Sequence, residues 1–122
     1  MRNSLATAIA LLSVAPAVLA DRNAELARML EDNAVAAAYA RMCDEEPMAD
    51  QIKANTMILL AVSGLPAHNV QLGSAKFNEI MRRELAATKR AADVDCAQRV
   101  ARARGRLAET QNILQSTRRK EE

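Results

Sequence analysis

His68 is the one imidazole of the chain, and the stretch around it, Gly64 to Gly73, also holds Asn69 and is flanked by Ser63 and Ser74. A hydrolytic centre would need a nucleophile, a base and an orienting group within hydrogen-bond reach. Nothing in this spacing sets them so, and the expectation is a solvated loop histidine, no catalytic residue and no enzyme. Asp44, Glu45 and Glu46 are adjacent acids, yet they lack the alternating ligands and the glycine of a calcium loop. Acids at a helix terminus account for them. The methionines beyond Met1 (Met29, Met42, Met48, Met57 and Met81) are too scattered to gather thioethers on copper(I) and read as flexible core filling. No metal and no cofactor is expected.

Cys43 and Cys96 are the only cysteines. With no C-x-x-C spacing and one histidine, a redox pair or zinc site has no support. In a small chain of an oxidising compartment an even count favours a disulfide, worth about 4 kcal/mol for a loop of this length.

The charges are unevenly spread. Residues 21–50 hold Asp21, Glu25, Glu31, Asp32, Asp44, Glu45, Glu46 and Asp50 against Arg22, Arg28 and Arg41, whereas twelve Lys or Arg face seven acids over residues 75–122. The basic run Arg82, Arg83, Lys89, Arg90, Arg99, Arg102, Arg104 and Arg106 has no interleaved aromatics, which argues against nucleic acid. The acidic first helix and basic last helix are expected to attract each other, with Glu25, Glu31 and Asp32 as an acid-sensitive part of that contact. Arg99, Arg102, Arg106, Leu107 and Leu114 are the candidate interaction surface, for a protein partner or a second copy.

The elements that position these groups are helical. Met1 to Ala20 has a basic start at Arg2, an apolar run from Leu5 to Leu19 and a Val18-Leu19-Ala20 exit, so residues 1–20 read as a cleaved signal peptide and the address as periplasmic or secreted. Cleavage leaves about 102 residues, one domain, with no integral membrane span. Helices are expected over about 22–43, 48–63, 75–92 and 96–117, followed by a disordered tail, 118–122. The run Met57 to Val62 marks the second helix as the most buried, residues 64–73 read as a loop, Ser74 as a cap, and Asp93 or Asp95 as a cap for the last helix. If the cysteines meet, the first and last helices run antiparallel, with facing residue numbers summing to about 139. That register pairs Leu26 with Ile113, Tyr39 with Val100 and Asp21 with Arg118. Extended to the middle helices, it pairs Ile52 with Ala87, Leu59 with Ile80 and Val62 with Phe77.

Two architectures satisfy this. One is an all-α, small four-helix domain of two helical hairpins with one disulfide. The other is a long antiparallel helical hairpin that dimerises, its last arm unbroken near Asp93. In outline the plan of export signal, small helical domain and two distant cysteines is similar to acid-stress chaperones of the HdeA type, without a shared motif. Leu107-Ala108-Glu109-Thr110-Gln111 does not match the LTxxQ element of Spy-like chaperones, so no residue role is carried over. The expected function is an exported helical binding protein acting through protein–protein contacts, with a stress-related chaperone as its specific form. The alternatives are a carrier of a small apolar ligand or metal between the helices and, more distantly, a hydrolase.

Overall fold

The computed structural model describes residues 15–88 and 95–121. They form four helices: α1 Ala15–Met42, α2 Glu46–Val62, α3 Ala67–Thr88 and α4 Cys96–Glu121. Among the described residues there is no strand. Both α1 and α2 pack against each of the other three helices, whereas α3 and α4 share no face. The cross-section is therefore a rhombus with α1 and α2 on its short diagonal. Separate α3 and α4, both packed on α1, exclude the unbroken-arm hairpin. Residues 89–94, where the break is expected, lie outside the described residues, as do the first residues of the expected signal.

Position on the short diagonal explains the composition of α1. Asn33, Ala34, Ala36, Ala37, Ala38 and Ala40 are all buried, in a stretch that three helices approach at once. Alanine lets backbones come close on every side without breaking the helix. Hydropathy alone predicts the deepest burial in α2 instead. There Ile58 is 47% exposed and Val62 40% exposed, because α2 turns one flank to solvent and hydrophobicity does not say which element lies at the centre. The larger core side chains, Ile52, Leu60, Phe77, Ile80 and Met81, fill the space that the alanines leave.

The α1–α2 turn closes with Glu45 N–H donating to the Ala40 carbonyl at 2.8 Å and Asp44 N–H to the Arg41 carbonyl at 3.2 Å. This is the Schellman pattern, and Asp44 takes the left-handed position, φ 62°, usually held by glycine. Pro47 follows in the first turn of α2, where its missing N–H leaves nothing unpaired. The disulfide joins Cys43, just past the end of α1, to Cys96, the first residue of α4, with Cα atoms 5.6 Å apart. Asp95 caps α4 through a 3.1 Å bond that its Oδ1 accepts from Gln98 N–H.

The loop expected over 64–73 is mostly helix. Only residues 63–66 turn, with Gly64 at φ 91°, and Pro66 accepts the first bonds of α3 from Asn69 and Val70 N–H. Gly73 is a packing position rather than a breaker: a Cβ there would lie 2.7 Å from Leu60 Cδ1 and 3.4 Å from Leu30 Cδ1. The shorter turn also moves the α2–α3 register. Gly73 faces Leu60, about two helical turns from the pairing expected from the cysteines. Between α1 and α4 the expected register holds, with Asn33 against Arg106 and Tyr39 against Arg99. Asp21 lies outside the residues whose side chains are described. At the other end α4 continues through Arg118 to Glu121, where a tail is expected.

Candidate functional site

Of the candidate surface on α4, Arg99, Arg106, Leu107 and Leu114 are half-buried and Arg102 is exposed. Arg99 places its guanidinium 4.6 Å from the Tyr39 ring centroid and Nη1 3.8 Å from Met42 Sδ. Arg102 lies 5.9 Å from the same ring. Arg106 donates from Nε to Asn33 Oδ1 at 2.9 Å and pairs with Glu109 at 2.6 Å. Leu107 and Leu114 are half-buried, and Leu107 packs on the core. Arg99, Arg106 and Leu107 thus line the joint between α4 and the bundle.

Asn33, which no motif in the sequence singles out, is the centre of that joint. Its Nδ2 donates to Thr56 Oγ1 at 2.9 Å and Thr110 Oγ1 at 3.0 Å, with Met29 Sδ at 3.2 Å. Each threonine hydroxyl then donates to the carbonyl four residues earlier, of Ile52 and Arg106 respectively. All three residues are fully buried, and the network ties α1, α2 and α4 at one level. The sign in the sequence is an amide in the apolar stripe of the first helix, between Leu30 and Ala37, with Thr110 in the stripe of the last.

Among the described side chains, no ion pair joins an α1 acid to an α4 base. Among the described residues, ion pairs join Arg41 to Glu46 and Asp50, Glu79 to Lys76 and Arg83, and Arg106 to Glu109. Glu25, Glu31 and Asp32 are exposed. An amide, hydroxyls and arginines hold α4 in place, so the acid trigger loses its structural basis.

His68 is exposed in the first turn of α3. Among the described residues no hydrogen bond joins it to Ser63, Asn69 or Ser74. No group of three or more His, Cys, Asp or Glu side chains there could hold a metal ion. No described helix is long and apolar enough to cross a membrane.

An apolar groove lies elsewhere, between α1 and α3. Two adjoining clefts of about 290 and 360 Å³ share Ala27, Leu30 and Gly73. Leu26, Leu60 and Leu65 extend one end of the groove, and Leu72 and Ile80 the other, beside Glu31, Lys76 and Arg83. Leu72 is 56% exposed, the most open large apolar side chain among the described residues. Gly73 lies on the floor of both clefts, where its missing side chain lets Leu60 and Leu30 pack against α3. Reading 64–73 as a loop hides the groove, although Val70, Gly73, Phe77 and Ile80 recur every three or four residues, the spacing of a helix face.

No protein-family model, no curated protein and no solved structure matches this chain.

Proposed function

We propose that this chain is a small exported binding protein of the periplasm that acts through protein–protein contacts, holding apolar segments of stressed client proteins in the α1–α3 groove. The observation that carries the reading is the groove itself: apolar walls from Leu26, Leu30, Leu65 and Ile80, an exposed Leu72 at its edge, and Lys76 and Arg83 beside it. An apolar strip with a charged rim is the pattern of a surface that takes up apolar side chains while staying soluble. Export rests on Arg2, the Leu5 to Leu19 run and Ala20, and the disulfide is compatible with an oxidising compartment.

The test is suppression of client aggregation by the parent protein and by Leu72→Asp. Protection that the variant loses supports the reading. No protection by the folded parent removes it. A small apolar molecule retained in native mass spectrometry of protein taken from its own cell envelope would favour the carrier instead, since the two cleft volumes sit near the lower end of small-ligand pockets, about 300 Å³.

A further inference from the structure

Toward the far end of α1 from the apolar groove, a third cleft of about 310 Å³ opens between the last turn of α1, the first half of α2 and the second half of α3. Arg41 lies eleven residues beyond Leu30, about 16 Å along the helix, so the two sites are separate. The polar lining is Arg41, Asp50, Lys53, Asn78 and Arg82, with Ala49 and Met81 as its apolar part. Arg41 Nη2 is 3.4 Å from Asp50 Oδ1, and its Nε is 3.4 Å from Glu46 Oε1. That Nε is nevertheless a buried nitrogen whose hydrogen has no aligned acceptor, an arrangement that folded proteins rarely leave unmatched. Lys53 is half-buried and Arg82 exposed. Neither has an ion-pair partner among the described residues, and the nearby Glu79 is paired with Lys76 and Arg83.

Two cations without an ion-pair partner at contact distance and an amide therefore line a space whose one carboxylate, Asp50, is already engaged by Arg41. We propose that this cleft binds an oxyanion of the phosphate class, inorganic phosphate or a phosphate monoester, between Lys53 and Arg82, with the Asn78 amide as a further donor. The lining offers no aromatic face on which a nucleic-acid base could stack, so the recognised group is the anion itself.

The experiment is amide-resolved NMR of the full chain at constant ionic strength, titrated in separate arms with inorganic phosphate, with glycerol phosphate and with chloride. Saturable shifts at Lys53, Asn78 and Arg82 are expected in a phosphate arm and not with chloride. Tighter binding of glycerol phosphate would identify the monoester as the ligand, and equal or tighter binding of inorganic phosphate the free ion. Lys53→Gln and Arg82→Gln should each weaken binding about tenfold, the scale of one charge-assisted hydrogen bond, with unchanged thermal midpoints. Arg104→Gln, exposed on α4 and outside the cleft, should bind as the parent does. Shifts that never saturate, that chloride reproduces, or that survive both cleft variants would overturn the proposal.

Discussion

The guanidinium of Arg106 donates from Nε to Asn33 Oδ1 at 2.9 Å across a chain separation of 73 residues, and the same asparagine donates to a threonine on each of α2 and α4. One buried amide thus sets the level of three helices. Buried polar groups that are fully matched act on register more than on net stability.

Asn33→Ala should destabilise by about 2–3 kcal/mol, because it removes four contacts and leaves Arg106 and two hydroxyls short of a partner. The triple variant Asn33→Leu, Thr56→Val, Thr110→Val should match or exceed the parent in denaturant midpoint while giving broader NMR lines. Sharp, single resonances from the triple variant would show that the network is not needed for register.

The disulfide holds α4 to the end of α1, and among the described residues α4 has no contact with α3 to hold it from that side. Replacing both cysteines by serine should lower stability by about 2–5 kcal/mol. Denaturant titration checks this, and hydrogen exchange should show α4 loosened before α1 and α2.

Alanine at the three glycines should rank them by environment. Gly105 lies in α4 with open space where a Cβ would stand, so Gly105→Ala should stabilise by about 1 kcal/mol. Gly73→Ala gains the same helix propensity but must displace Leu60 Cδ1, so its effect should be smaller or reversed. Gly64 turns the chain at φ 91°, and Gly64→Ala should destabilise by about 1 kcal/mol or more. Thermal melts of the three variants read the order directly.

The dependence on pH should be shallow. A hydrogen bond from Lys76, then the charges of Lys76, Arg83 and Arg82, hold the Glu79 carboxyl below its ordinary value. A depressed carboxyl contributes stability above its unfolded pKa and loses it as pH falls through the lower folded value. Glu79 is fully exposed, so its share is small and screened by salt. Denaturant midpoints should stay level from pH 7 to about 5 and decline only as carboxylates protonate below that. Glu79→Gln should flatten the decline slightly. Release of α4 near pH 5 would contradict a joint made of an amide, hydroxyls and arginines.

Much of the architecture is legible in the sequence because it depends on local spacing. Apolar residues every three or four positions mark the four helices, Asp44 to Pro47 mark the first turn, Asp95 the last cap, and two cysteines set the antiparallel register that Tyr39 and Arg99 keep. Gly73 misleads because a glycine without visible neighbours looks like a breaker, and only the approach of Leu60 and Leu30 shows why the missing side chain is needed inside a helix. Misplacing that helix start hides the groove.

The sequence by itself determined helical periodicity, capping and the disulfide, since these arise between residues close in the chain or are forced by a count of two cysteines. The tertiary structure decided which helix lies at the centre, which arginines are engaged and where apolar surface remains open. Those depend on how many neighbours each face meets, a quantity that residue identity does not carry. Alanines became the deepest core because three helices converge on α1. Arg106 became a structural anchor because the packed helices bring Asn33 within a hydrogen bond of it.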